Sequence, residues 1–259
     1  RRGEIGPVFR QSLWLALALG VALVFVVRAG ALTLGPMGIA PEARPEAVAF
    51  LQAISWGAPA LALFFCLRNL SEGVAWTVPS MVVGGLGLAL LAPLGYALMF
   101  GAGLGAAGLG YAVATVLWCQ ATVMAVYLWR ARRFADLALF GRFEAPSWPP
   151  IRALLKLGLP MGVSVFMEGS LFVATALLIG TLGTTQMAAH QIAILVASLC
   201  FMVPLGVAMA TTVRVGHAAG AGDLSGVRWA AGAGYALAML AQTLSALLLV
   251  TSAAWLAAL

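Results

Sequence analysis

The sequence predicts an all-α polytopic membrane protein with seven transmembrane helices. Of its 259 residues, 63% are hydrophobic and 8% are charged, and the mean hydropathy is +1.04. Seven apolar stretches each exceed the ~20 residues that a helix needs to cross ~30 Å of hydrocarbon. The alternating polar and apolar pattern of a transmembrane barrel is missing, so we expect the spans to be helices.

Residues that mark membrane surfaces separate the predicted spans along the chain. Arg10 precedes the first span and Arg68 follows the second. Trp76 begins the third span and Trp129 ends the fourth, as interfacial anchors do. The fifth span follows a Pro-Pro pair at 149–150, which suits the first turn of a helix, and basic residues also bound the last two spans. The predicted spans are 11–34, 46–67, 76–100, 104–129, 153–182, 186–213 and 227–258.

The net charge of +6 orients the chain in a membrane and does not indicate a nucleic-acid partner. With the start of the chain on the cytoplasmic side, twelve basic residues fall on the inner side and only Arg28 and Arg44 on the outer side. This distribution is the positive-inside pattern of seven alternating spans. The inner residues are Arg1, Arg2, Arg10, Arg68, Arg130, Arg132, Arg133, Arg142, Arg152, Lys156, Arg214 and Arg228.

A short repeat predicts how the spans are grouped. Residues 3–8, GEIGPV, and residues 222–227, GDLSGV, each place an acid and a small loop on the inner side before an apolar run. Six spans separate the two copies, so the repeating unit would hold six helices and the intact protein about twelve, a size common in transporters. We therefore expect the chain to be a fragment of a longer protein. The predicted organisation is four N-lobe helices in 1–135, a cytoplasmic inter-lobe linker at 136–150 and three C-lobe helices in 151–259.

Glu168 is the strongest candidate for a functional residue, because it lies inside the apolar stretch 154–182. A charge at that depth costs roughly 2.5–3.5 kcal/mol even on insertion scales, so it should face a cavity or a partner. Ser164 lies four residues before it and Thr175 seven after, on the same helix face. The functional interpretation is a carboxylate that exchanges H⁺ or Na⁺; the alternative is a structural carboxylate bonded to a neighbouring helix.

The remaining candidates are weaker. His190 and Gln191 are polar residues near the outer end of the sixth span, and Phe201 and Met202 continue that span. Packing is the ordinary role of such residues. The alternative is a proton relay for His190 and contact with a bound compound for Phe201 and Met202. The three cysteines lie at wide spacing within apolar spans and suit packing, so no metal site is predicted apart from Na⁺ at Glu168. The GxGxxG pattern at 103–108 lies between two spans, without the strand that a dinucleotide site requires.

Several motifs resemble those of the multidrug and toxic compound extrusion (MATE) family, and together they cover essentially the whole chain. The resemblance places the chain as helices three to nine of twelve. The motifs are Leu159-Pro160-Met161-Gly162 followed by Glu168, Gly183-Thr184, Ala188 to Ala193, Phe201 to Gly206, Arg214-Val215-Gly216 through Asp223, and, more loosely, Leu67-Arg68 with Glu72-Gly73, Pro79-Ser80-Met81 and Gly105 to Thr115.

The resemblance implies a cation-coupled antiporter, driven by H⁺ or Na⁺, that exports cationic amphipathic compounds by alternating access. Two six-helix lobes would enclose a central cavity, with Glu168 in its cation and substrate site and Gln191 and Phe201 near it. It further implies a monomer in the plasma (inner) membrane without a cofactor. A lipid-linked oligosaccharide or polysaccharide flippase of the same superfamily is the alternative. A seven-helix receptor should begin outside, and an intramembrane aspartyl protease needs two membrane acids where this chain has one.

Overall fold

The computed structural model describes residues 2–34, 41–131, 134, 139 and 144–256. Within these ranges the chain is helical and contains no strand, which confirms the predicted fold class. A π-helical turn, Ala97–Gly101, follows the fourth helix. The helices are α1 (Arg2–Leu32), α2 (Arg44–Ser55), α3 (Ala58–Gly73), α4 (Val78–Tyr96), α5 (Gly105–Arg130), α6 (Trp148–Gly180), α7 (Thr184–Gly220) and α8 (Leu224–Leu256).

Six of the described helical segments are long and apolar enough to cross a membrane, and α2 with α3 makes a seventh if the bent pair is one span. The predicted second span is therefore present but broken, with a bend of 43° between its halves. Pro59 lies in the first turn of α3, and proline cannot donate the hydrogen bond that would continue α2. The Gly57 amide instead donates to the Ile54 carbonyl at 2.9 Å, which tightens and ends the helix.

Residues 3–8 lie within α1, so the prediction of a small loop ahead of the first span is wrong for this copy of the repeat. Ile5 and Phe9, one helical turn apart, both pack against the core of the surrounding helices. This packing outweighs the low helix propensity of the glycines and of Pro7. The second copy does contain a turn, in which Gly222 adopts a φ of +74° before α8 begins.

The chain divides into two compact units, Arg1–Gly158 and Leu159–Leu259, called here unit 1 and unit 2. In unit 1, α5 packs against α2, α3 and α4, and α1 packs against α2 and α3. Small residues bring the backbones close together, as expected for helices in a membrane. A Cβ added at Gly110 would lie 2.8 Å from the Phe50 carbonyl oxygen, so α5 and α2 touch at the backbone. The core includes Phe9, Phe64, Leu67, Met124, Leu128, Phe134 and Leu139.

In unit 2, α7 and α8 form an extended packed pair. Gly234 of α8 faces the side chain of Thr211, a contact that leaves no room for a larger residue at 234. Helix α6 differs from this pair because, within the described ranges, it forms no extended packed interface with either helix, and it contains no buried residue along its whole length. It nevertheless runs without interruption through Pro160, with the Pro-Pro pair at 149–150 in its first turn as predicted.

Candidate functional site

Glu168 lies at the middle of the apolar part of α6. It is twelve residues from Lys156 and twelve from Gly180, which corresponds to ~18 Å in each direction along the helix. Because α6 is continuous, Ser164 and Thr175 share the face that carries Glu168. The Thr175 hydroxyl donates to the Leu171 carbonyl at 2.8 Å, so its one hydrogen is already used within the helix and its oxygen can only accept.

Glu168 lacks the hydrogen-bond or ion-pair partner that three other described carboxylates have. Glu72 accepts a hydrogen bond from Arg68 at 2.6 Å, and Glu144 does the same from Arg10 at 2.6 Å. Asp223 caps a helix. Within the part of the chain that the structure describes, neither Glu168 nor the Ser164 hydroxyl has a hydrogen bond or an ion pair, and both residues are exposed. The predicted cavity around Glu168 is therefore not formed by the described helices of unit 2.

The four candidates of the sixth predicted span lie on α7. His190 is half-buried, Gln191 is exposed, and the side chains of Phe201 and Met202 retain 48% and 57% of their exposure. His190 and Phe201 are eleven residues apart, about three helical turns, and so share one face. Gln191 and Met202 share the next face in the same way. None of the four lines either of the two cavities described next.

Two cavities lie along the α7–α8 interface. One, of ≈ 530 Å³, is lined by residues that include Thr211, Arg214 and Trp229. The other, of ≈ 400 Å³, is lined mainly by apolar residues and by Cys200. The sequence placed Arg214 on the inner side and in a family motif, but it did not reveal that Arg214 and Trp229 line a common cavity. The signal that could have found them is their position on either side of the turn at Gly222, which folds α8 back along α7.

The turn between α7 and α8 is fixed by Asp223. Its carboxylate accepts hydrogen bonds from the Ser225 hydroxyl at 2.6 Å and from the Gly226 amide at 2.9 Å. These two bonds hold the pKa of the Asp223 carboxyl below its ordinary value. An anion at this position accepts a hydrogen bond from the Gly226 amide, which has no partner within the helix, and interacts favourably with the positive end of the helix dipole.

The structure thus brings Ser164 and Glu168 to one face of α6 but does not join them to the α7 candidates. No extended packed interface connects α6 with α7 among the described residues. The same part of the chain holds no group of three or more His, Cys, Asp or Glu side chains that could bind a metal ion.

Two packed units of apolar helices, one with an unpartnered acid at mid-span, define a polytopic helical membrane protein. The chain belongs to the MatE family, whose family model matches residues 1–97 and 160–259. This match confirms the family that the sequence motifs indicated.

The curated relatives are about twice as long as this chain. It is 58% identical over 251 residues to a "Probable multidrug resistance protein NorM" of Xanthomonas axonopodis pv. citri, a match covering 95% of the chain and 55% of the relative. A protein of the same name from Xanthomonas campestris pv. campestris is 55% identical over 253 residues, covering 96% of the chain and 55% of the relative. The chain therefore spans about half the length of these relatives.

A solved structure shows the same fold. A transporter described as the "outward-facing conformation of a multidrug resistance MATE family transporter of the MOP superfamily" superimposes with a TM-score of 0.84. The match covers 97% of the chain and 56% of that structure, at 23% sequence identity. The resemblance therefore extends over nearly all the helices of both units.

Proposed function

We propose that this chain is part of a cation-coupled antiporter that exports cationic amphipathic compounds by alternating access. The observation that carries the proposal is Glu168, a carboxylate at mid-span on a continuous helix with no partner among the described residues. The names of the relatives, which are multidrug resistance proteins, support the class of transported compound.

The chemistry of coupling follows from the cost of charge in the membrane. The negative charge of a carboxylate at that depth must be neutralised, and a proton, Na⁺ or an organic cation can each neutralise it. If all three bind at Glu168, they exclude one another, so entry of the coupling ion from one side displaces the exported cation. Exchange requires only that the site opens to the two sides in turn. The Ser164 hydroxyl, one turn away, would donate a hydrogen bond to the carboxylate or accept one from a bound ligand.

The proposal assigns the rest of the site to residues outside this chain, because the relatives are about twice as long. Residues 1–135 would be four helices of the first lobe, 136–150 the linker and 151–259 three helices of the second lobe. Of the proposed linker, residues 136–138 and 140–143 lie outside the described residues. Further helices would cover the exposed face of α6 and enclose Glu168. The full-length transporter would be a monomer in the inner membrane, without a cofactor, and with the start of this chain in the cytoplasm.

The test is transport by the full-length protein in vesicles with an imposed H⁺ or Na⁺ gradient. Glu168→Gln keeps the shape of the side chain but removes its charge, so we expect ion-driven efflux of a fluorescent organic cation to be lost. Glu168→Asp keeps the charge and should retain part of the activity. Glu46→Gln removes an exposed carboxylate from the first turn of α2 and serves as the matched control. Efflux at the normal rate in Glu168→Gln would show that the coupling role is wrong.

A further inference from the structure

Residues 144–147, the last part of the connection between α5 and α6, are bound to the beginning of α1; we call them the strap. Gln11 of α1 is 3% exposed, and its side chain makes both central contacts. Its amide nitrogen donates to the Ala145 carbonyl at 3.0 Å, and its amide oxygen accepts from the Ser147 amide at 2.8 Å. One side chain thus pairs with two main-chain groups of the strap, as a neighbouring strand would.

Two further contacts fix the beginning of the strap. The Trp14 indole nitrogen donates to the Glu144 carbonyl at 3.0 Å, and the Arg10 guanidinium donates to the Glu144 carboxylate at 2.6 Å. The Arg10 side chain is 12% exposed and that of Glu144 is 40% exposed, so the ion pair is shielded from solvent at the arginine but not at the glutamate. Arg10, Gln11 and Trp14 lie within one turn of α1 and present a single polar face to the strap.

Apolar contacts hold the earlier part of the same connection. Phe134 and Leu139 are 2% and 4% exposed, and both belong to the core cluster with Phe9 of α1. The Phe134 amide donates to the Ala131 carbonyl at 2.9 Å, which turns the chain back toward the core directly after α5. Except for Pro146, the described residues of the connection are therefore packed or hydrogen-bonded within unit 1.

We propose that the strap is a permanent anchor, which keeps the first turns of α6 attached to α1 at every stage of the transport cycle. A simple flexible linker would need no buried partner, whereas the Gln11 amide is buried and matched to the strap on both its donor and its acceptor side. Releasing the strap would leave the NH₂ and the oxygen of the Gln11 amide buried without a hydrogen-bond partner, and each group would then cost its full desolvation free energy. The anchor is independent of the role proposed for Glu168, since it requires only that the helices of unit 1 remain folded.

Hydrogen exchange at the Ser147 amide measures this contact directly, in the full-length protein reconstituted in lipid nanodiscs. The readout is sharp because Pro146, Pro149 and Pro150 have no amide hydrogen, so a peptide covering 144–150 reports few sites. We expect Ser147 to be protected in the wild type. The protection factor, corrected for intrinsic exchange, should be the same at acidic and neutral pH and with or without Na⁺.

Gln11→Ala removes the acceptor, and exchange at Ser147 should become about 5- to 150-fold faster, the range for one buried hydrogen bond. Gln52→Ala, at an exposed glutamine of α2, is the matched control and should leave this peptide unchanged. Glu144→Gln removes the ion pair but leaves both Gln11 contacts, so Ser147 should stay protected even if Gln11→Ala fails to fold.

Two results would overturn the proposal. If the wild-type protection at Ser147 falls when the pH or Na⁺ concentration changes, the strap opens during the cycle and is a gate. If Ser147 exchanges freely in the wild type under all conditions, the Gln11 contact does not hold the strap. Loss of efflux in Glu168→Gln with unchanged protection at Ser147 would support both proposals separately.

Discussion

α1 lies in close contact with the backbone of α3 at Gly20, and Gly20→Ala tests how tightly unit 1 is packed. An added Cβ would lie 2.5 Å from the Pro59 Cα and 3.3 Å from the Ala58 carbonyl oxygen. Both neighbours are backbone atoms at the start of α3, so neither can turn aside as a side chain can. Reaching an ordinary carbon–carbon contact requires the helices to separate by about 1 Å. Overpacking of this kind costs about 1–3 kcal/mol.

We expect this cost to appear as a lower thermal unfolding midpoint of the detergent-solubilised full-length protein. The entropy of unfolding grows with chain length, so for a protein about twice as long as this chain the shift is about 1 °C per kcal/mol. The Tm of Gly20→Ala should therefore fall by roughly 1–3 °C. Gly84→Ala is the matched control, because nothing lies within 4 Å of a Cβ added there. Alanine has the higher helix propensity, so this control should be neutral or slightly stabilising. Equal shifts in the two variants would refute the close approach of α1 and α3.

Two further predictions concern the turns at the ends of helices. Asp223→Ala removes the cap of α8, and exchange at the Gly226 amide should become faster; Asp223→Asn keeps an acceptor and should preserve most of the protection. The pKa of Asp223 is lower in the folded state, so the ionised carboxylate stabilises the fold. This stabilisation is complete above the ordinary carboxyl pKa and is lost as the pH falls through the lowered pKa. Asp223→Asn should abolish this pH dependence. Trp118→Phe removes the indole donor to the Trp56 carbonyl, 3.0 Å away at the break between α2 and α3, and should lower stability by about 0.5–1.5 kcal/mol in a thermal scan. Trp229→Phe, at a residue that is 78% exposed, is its control, and an equal loss there would contradict a specific role for the Trp118 bond.

The helical spans could be predicted from the sequence because the membrane imposes length and composition on each of them separately. An apolar run of sufficient length is the same signal wherever it occurs, and the Pro-Pro pair before α6 is a local signal as well. The break at Gly57 was not predicted, because the residues on both sides of it remain apolar. What ends α2 there is the combination of Pro59 with the close backbone of α5, where a Cβ at Gly57 would lie 2.9 Å from the Ala114 Cα.

The candidate site was predictable only in part. Glu168 stands out in the sequence because a charge among apolar residues is costly wherever the helix lies. Its environment depends on tertiary packing, and the face of α6 that carries it is exposed in the described structure. The contacts of the strap join residues separated by 130 to 136 positions, and three of its four hydrogen bonds use main-chain atoms. Main-chain atoms are the same at every residue, so the sequence carries little signal for such a contact.

The way Gln11 holds the strap has a consequence for how this segment can change in evolution. Gln11 contacts the carbonyl of Ala145 and the amide of Ser147, and neither contact depends on the side chain at these two positions. Substitutions there should therefore be accepted freely, whereas proline at 147 would remove the donor. Spacing is a different matter, because one residue inserted or deleted between 145 and 147 would displace one of the two main-chain groups from the amide. At positions 145 and 147 the strap is thus permissive in composition but strict in length, whereas a surface loop usually tolerates insertions and deletions as well.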